Sequence, residues 1–337
     1  IGGLGGNLRR HGRRCRRRRS RSRNAYLTRS PAGDKKHYAD KNKYSKLGEQ
    51  ALFEAFESLR AAFNTTAQSR SPSSSNSQSE VFRVGQEYVE TYGSTSSGDN
   101  PRAKNVLVHL GQMHLSLLNL NEAAFFMVEY GQKYPNDANS KPLLQQAATI
   151  YSKTGKALEA FQVFESLGLK NQGLAVLAQW QRWDDLYLKA TDASGLTEQY
   201  YQGLSTFRLK SSQNSVDSKS LEIFEGLINA GPSNDLDNGL WSHAGIIVAE
   251  TKLNALKSQM QKEGFSTENL QKVLAQYEQI SAINQKVIKG GSGIWRLGAL
   301  LLEAHLNNIV AEYLKQSKPP PGMSLAQFKT VLDPQIN

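Results

Sequence analysis

Histidine and acidic side chains are the first candidates for catalysis or metal binding in this chain. The six histidines are His11, His37, His109, His114, His243 and His305. His109 and His114 are five residues apart, a spacing that does not place two ligands on one helical face, and the chain contains no HExxH or HxH motif. Asp184 and Asp185 follow Trp183 at a predicted helix start, where acidic side chains interact favourably with the helix dipole. We therefore expect structural roles and no metal site.

Motifs for phosphate binding and nucleophilic catalysis are also incomplete. The glycine clusters IGGLGG (1–6) and KGGSG (289–293) lack the following GK[ST], and no predicted strand precedes either of them. No GxSxG motif is present. The single cysteine, Cys15, excludes both an intramolecular disulfide and a cysteine-based zinc site. The sequence therefore predicts a non-enzymatic protein without a cofactor.

Positive charge is concentrated at the N-terminus. Residues 1–50 hold 16 Lys and Arg against 3 Asp and Glu, whereas residues 51–337 hold 25 against 27, so the formal net charge of +11 belongs to the head of the chain. The candidate nucleic-acid or targeting contacts are Arg13, Arg14, Arg16, Arg17, Arg18 and Arg19. Four interpretations stay open: an arm that binds RNA or DNA phosphates, a nuclear address, an organelle transit peptide, and a disordered or misannotated leader. The expected location is intracellular, with an organelle such as the mitochondrion, or the nucleus, favoured by these arginines.

Apolar runs are too short to predict a membrane span. The most apolar stretch, IWRLGALLLEAHL, is interrupted by Arg296 and Glu303 and does not reach about 18 uninterrupted apolar residues. The N-terminus has no apolar stretch of the kind found in secretory signals.

Helical periodicity dominates the rest of the chain and predicts an all-α fold. We expect five segments: a disordered Arg-rich head (1–42), N-terminal helices with a Ser-rich linker at 65–79 (43–101), helical repeats (102–235), long C-terminal helices that complete or cap them (236–318), and a tail (319–337). Within the tail, residues 323–333 fit a short docking helix. The four tryptophans lie in helical patterns and are expected in the core, with exposed binding aromatics as the alternative.

Two helical hairpins in the central segment repeat each other. Superposing residue n on residue n+37 aligns Leu107 with Leu144, His114 with Tyr151, Ala123 with Ala160, Met127 with Phe164 and Tyr130 with Leu167. Helices are expected at about 104–118 and 121–134, and again at about 141–154 and 157–168. The small Ala123 and Ala160 fall where paired helices would cross closely.

This arrangement resembles the tetratricopeptide repeat, whose pattern places Leu-Gly and Tyr in its first helix and Ala, Phe, Ala and Pro in its second. In the first copy the matching residues are Leu107, Leu110, Gly111, His114, Ala123, Met127, Tyr130 and Pro135. The resemblance implies antiparallel hairpins that stack as an α-solenoid, with the first helix of each hairpin lining a concave face. The candidate partner-binding residues on that face are Val108, Gln112, Leu115, Gln145, Thr149 and Ser152.

The match also departs from the family pattern. The second copy lacks the closing proline, and the 37-residue spacing exceeds the family's period of about 34 residues. Some tetratricopeptide domains bind acidic protein C-termini. Val108, Gln112 and Leu115 cannot clamp a carboxylate, so the resemblance does not imply that function here. An ordinary helical bundle with hairpins of similar spacing remains the alternative.

Together these patterns predict a non-enzymatic scaffold or adaptor that binds a peptide or helix of another protein, as a subunit of a larger complex. The alternative function is a subunit of a ribonucleoprotein or organellar complex that its Arg-rich N-terminus anchors to RNA or to acidic surfaces.

Overall fold

The computed structural model describes residues 46–69, 74–95, 98–211, 218–263 and 267–315, together with Ser324 and Gln327. These residues form thirteen α-helices: α1 (Lys46–Ser69), α2 (Ser74–Tyr92), α3 (Pro101–Ser116), α4 (Leu120–Lys133), α5 (Ser140–Thr154), α6 (Ala157–Ser166), α7 (Lys170–Gln179), α8 (Trp183–Lys189), α9 (Leu196–Ser211), α10 (Ser218–Ala230), α11 (Asn238–Glu263), α12 (Thr267–Gly290) and α13 (Gly293–Lys315). Two antiparallel two-residue strands, β1 (Ser94–Thr95) and β2 (Gly98–Asp99), form a small turn before α3. The predicted all-α class is confirmed.

The chain divides into two compact units, residues 1–154 and 155–337. The division falls inside the segment 102–235 that the sequence assigned to repeats. It also divides the second predicted hairpin, because α5 belongs to the first unit and α6 to the second.

In the first unit each helix from α1 to α5 packs against the next one in sequence. The core between them is formed by large apolar side chains, with Phe56, Tyr88, Leu107 and Leu110 almost completely buried. Burial of this kind is worth about 1.5–3 kcal/mol for each large side chain, so the shared core accounts for the stacking of neighbouring helices.

Helix α3 begins at a well-defined N-cap. The side-chain Oδ1 of Asn100 accepts hydrogen bonds from the backbone N–H groups of Arg102 (2.9 Å) and Ala103 (3.4 Å), and Pro101 occupies the first turn, where its missing N–H is not needed. The Asn100 amide also donates to Glu49 on α1 (2.9 Å) and to the backbone oxygen of Tyr92 (3.1 Å). This one side chain therefore fixes the start of α3 against the two preceding helices.

The second unit contains α6 to α13, and each of these helices packs against its neighbour in sequence. Helices α11, α12 and α13 pack against one another around a core that includes Leu253, Leu256, Val273 and Leu306. Gly168 follows α6 with φ +73°, a left-handed conformation that glycine adopts at helix ends without steric cost.

Two sequence predictions are corrected by the fold. The Ser-rich linker expected at 65–79 is largely helical, because α1 runs to Ser69 and α2 begins at Ser74. Of the four tryptophans expected in the core, Trp241 is buried, Trp183 and Trp295 are half-buried, and Trp180 is exposed. The basic head lies outside the described residues, as does most of the segment 323–333.

Candidate binding cleft of helices α3 to α5

A cleft of about 260 Å³ opens between α3, α4 and α5 in the first unit. Its lining consists of Leu107, Val108, Gly111, Gln112 and Leu115 from α3, Phe126, Met127 and Tyr130 from α4, and Leu143 and Gln146 from α5. None of these ten residues is charged. We call these residues the α3–α5 cleft.

Helical spacing explains why these side chains meet. On α3, Val108, Gln112 and Leu115 follow one another at steps of four and three, so they share one face of the helix. On α5 the lining positions Leu143 and Gln146 are three residues apart and also share a face. Helix α4 packs against both α3 and α5, and its side chains form the floor between them.

The floor is buried and apolar, and the rim is polar. Phe126, Met127 and Tyr130 are at most 4% exposed, whereas Gln112 and Gln146 are exposed at the surface. Uncharged amide groups at the rim can donate and accept hydrogen bonds, and the floor can accept an apolar side chain. The cleft lies just below the range of about 300–1,000 Å³ typical of small-molecule sites.

A glycine permits the close approach of α4 and α5, whereas α3 and α4 leave room for a larger residue. A Cβ added at Gly111 would meet the Ala123 backbone oxygen at 3.7 Å and the Met127 Cγ at 3.8 Å, which are ordinary contacts. A Cβ added at Gly131 on α4 would come within 2.5 Å of the Leu144 Cγ on α5. Helix α4 is therefore held closer to α5 at Gly131 than any larger residue would allow.

Polar contacts join the start of α3 to the loop after α4. The Asp137 carboxylate accepts from the Lys104 ammonium (3.1 Å) and from the Asn139 backbone N–H (2.9 Å). The hydrogen bond from Asn139, and then those from Tyr130 and Lys104, lower the pKa of Asp137 to about 2. Burial raises the pKa of Tyr130. The ion pair therefore connects the first turn of α3 with the loop after α4.

His114 lies behind the cleft and is buried. Its ring stacks on Phe82, with ring centroids 4.0 Å apart, and on Phe126, with centroids 5.3 Å apart. No described residue hydrogen-bonds its Nδ1, and burial lowers the pKa of His114, which favours the neutral ring. This environment is that of a packing residue, the role expected from its place in the repeat.

The structure brings together three of the six predicted face residues, Val108, Gln112 and Leu115. Gln145 and Thr149 are exposed on α5 but do not line the cleft. Ser152 is wrongly assigned to an accessible face, because it is 8% exposed and its hydroxyl donates to the Ala148 backbone oxygen.

The sequence predicted Gln145, Thr149 and Ser152 on the accessible face of α5, whereas the α5 residues that line the cleft are Leu143 and Gln146. The floor residues Met127 and Tyr130 match packing positions of the repeat pattern, so the sequence already indicated that they are buried. The predicted contacts Arg13, Arg14, Arg16, Arg17, Arg18 and Arg19 lie outside the described residues.

The other chemical candidates occupy structural positions. Asp184 and Asp185 lie in the first turn of α8, where the Asp185 carboxylate accepts from the Arg182 Nε at 2.8 Å. Within the described ranges, no group of three or more His, Cys, Asp or Glu side chains is arranged to hold a metal ion. No helix in the described part of the chain is long and apolar enough to cross a membrane.

Comparison with known proteins gives this chain no family. No family model matches it, and no curated protein or solved structure matches it either.

Proposed function

We propose that this protein is a non-enzymatic scaffold or adaptor that binds an apolar segment of another protein in the α3–α5 cleft. The observation that carries the proposal is the convergence of Val108, Gln112 and Leu115, chosen from the repeat pattern, around a buried apolar floor with an uncharged polar rim. The stacked hairpins of the first unit suit a tetratricopeptide-like solenoid, which is the arrangement we propose for the repeats.

The chemistry of the lining favours a peptide or helix that inserts one or two large apolar side chains. The space is small and apolar, so the anchor would gain free energy by leaving water. Gln112 and Gln146 would hydrogen-bond polar groups beside the anchor. An acidic partner is disfavoured, since no described cationic side chain lines the cleft.

Affinity purification of the full-length tagged chain tests the proposal. Leu115→Glu places a charge in the cleft, whereas Leu118→Glu makes the same substitution at a position that is 80% exposed and outside the lining. Quantitative mass spectrometry should show at least one bound protein reduced about tenfold or more by Leu115→Glu and retained by Leu118→Glu. Retention of every partner by a folded Leu115→Glu variant would contradict the proposed site.

The segregated charge favours a second function. With 14 Lys and Arg against 2 Asp and Glu, the head (residues 1–42) has the composition of a segment that binds phosphates or acidic surfaces. Deleting residues 1–42 should then abolish association with RNA or with a ribonucleoprotein or organellar complex, and added salt should weaken association of the full chain. Unchanged association after the deletion would remove this function.

A further inference from the structure

A second cleft, of about 400 Å³, lies between α11 and α13 in the second unit. Its floor is apolar and consists of Met260, Ile309 and Tyr313. Tyr313 is buried, and Met260 and Ile309 are half-buried where they pack against the core of α11, α12 and α13. The volume lies within the range of about 300–1,000 Å³ that is typical of small-molecule sites, a range that the α3–α5 cleft does not reach.

The rim of this cleft is polar and exposed. Lys257 and Gln261 on α11 are four residues apart and share one face of the helix with Met260. Asn308 and Glu312 on α13 are four residues apart as well. We call the floor and the rim together the α11–α13 cleft. It offers an apolar surface bordered by two amide groups, one ammonium group and one carboxylate.

The ammonium group of Lys257 is the rim charge that has no counter-ion. The Glu312 carboxylate accepts from the Lys315 Nζ at 2.7 Å, so its charge is already paired. No residue in the described part of the chain forms an ion pair or a hydrogen bond with Lys257. A bound anion would therefore gain an ion pair with Lys257 without breaking one within the protein. Charge complementarity thus favours an anionic ligand over a cationic one.

We propose that the α11–α13 cleft binds a small aromatic anion, such as an aryl carboxylate or an aryl sulfonate. The aromatic body packs on the floor, since the polarizable thioether of Met260 and the ring of Tyr313 both make favourable contacts with aromatic rings. The anionic group pairs with Lys257, and the amides of the rim donate hydrogen bonds to it. An uncharged molecule of the same shape would keep the apolar contacts and lose the ion pair.

A matched pair of fluorescent probes tests this proposal on the full-length chain. Anilinonaphthalene sulfonate carries an aromatic body and an anionic group, and its parent phenylnaphthylamine has the same rings without the charge. Asn308→Trp fills the cleft from its exposed rim, so the difference between the wild type and this variant defines binding at the cleft. A ligand of this size in a matching cleft should bind with a Kd of about 10–100 μM.

The charge is tested by Lys257→Gln, which removes the ammonium group and keeps a polar side chain. The control Lys262→Gln makes the same substitution at an exposed position of α11 outside the cleft. We expect Lys257→Gln to weaken binding of the sulfonate about fivefold or more and to change binding of the uncharged parent less than about twofold. Lys262→Gln should leave the affinity for both probes unchanged.

Three results, each in variants with unchanged helical circular dichroism, would overturn the proposal. Equal binding of the sulfonate by the wild type and by Asn308→Trp would place the probe elsewhere on the surface. An unchanged affinity for the sulfonate in Lys257→Gln would show that the ammonium group does not hold the anion. Equal weakening of both probes by Lys257→Gln would show that the lysine shapes the cleft and does not supply the charge.

Discussion

Acidification should destabilise the second unit through His243, which lies on α11. The Tyr200 hydroxyl is 2.5 Å from its Nδ1, and the ring stacks on Trp295 with centroids 4.3 Å apart. Burial, and then the positive charge of Arg208, lower the pKa of His243 from 6.5 to about 4. Burial raises the pKa of Tyr200 as well, so the tyrosine keeps its proton. In the tautomer that carries its proton on Nε2, the neutral imidazole accepts from the Tyr200 hydroxyl through Nδ1.

The size of the stability loss follows from the difference in proton binding between the folded and the unfolded chain. Between pH 6.5 and pH 4 the unfolded chain binds a proton at residue 243 and the folded chain does not, so the free energy of unfolding falls as the pH is lowered. One pKa unit corresponds to about 1.4 kcal/mol, so the loss from this residue is about 1 kcal/mol at pH 5.5 and about 2–3 kcal/mol at pH 4.5. The stability contributed by the neutral ring is fully present above about pH 7.

Urea unfolding followed by tryptophan fluorescence measures this loss. All four tryptophans lie between residues 180 and 295, so the signal comes from the second unit. His114 is the same in the wild type and in a variant of His243, so its contribution cancels when the two are compared. His243→Gln retains an oxygen that can accept from Tyr200 but does not titrate. The wild-type chain should lose about 2–3 kcal/mol more than this variant between pH 7.5 and 4.5. Equal losses, or an NMR titration of His243 near pH 6.5, would refute the reasoning.

Three further substitutions probe the first unit and are measured by urea unfolding followed by circular dichroism. Gly111→Ala should stabilise the fold by up to about 1 kcal/mol, because alanine favours helix and its Cβ meets only ordinary contacts. Gly131→Ala should stabilise it less, or destabilise it by up to about 2 kcal/mol, because its Cβ overlaps Leu144. Equal effects of the two substitutions would contradict the helix spacing. Asn100→Ala should cost about 1–3 kcal/mol, because it removes the cap of α3 and a donor to Glu49, and a loss below about 0.5 kcal/mol would contradict the cap's role.

Helix positions could be predicted closely because their signals are local. Apolar spacing places α3 to α6 within a few residues of their observed bounds. The predicted start of α3 at about 104 is three residues late, because the cap formed by Asn100 and Pro101 was not taken into account. The prediction of a Ser-rich linker was wrong because it rested on amino-acid composition and ignored packing. Serine costs a helix little, and α2 is stabilised by the burial of Val84 and Tyr88 against its neighbours.

The candidate site could be predicted only in part, since it depends on how helices turn toward each other. The face of α3 follows from its own periodicity, which is why Val108, Gln112 and Leu115 lie together. The face of α5 depends on α4, and the 37-residue superposition carried no information about that contact. Ser152 illustrates this. The 37-residue superposition aligns it with Leu115 and so predicted an accessible side chain, whereas the packing of α5 buries it.

Direct peptide binding is the measurement that tests the central claim. Peptides selected from a display library on the full-length protein would be measured by fluorescence polarisation against the double variant Gln112→Glu, Leu115→Glu and against the control Gln145→Glu, Thr149→Glu outside the cleft. Loss of an apolar anchor site costs about 2 kcal/mol or more, so the cleft variant should weaken binding about 30-fold while the control leaves it unchanged. Selected peptides that bind the wild type and the folded cleft variant equally would contradict the claim that the α3–α5 cleft is the partner-binding surface.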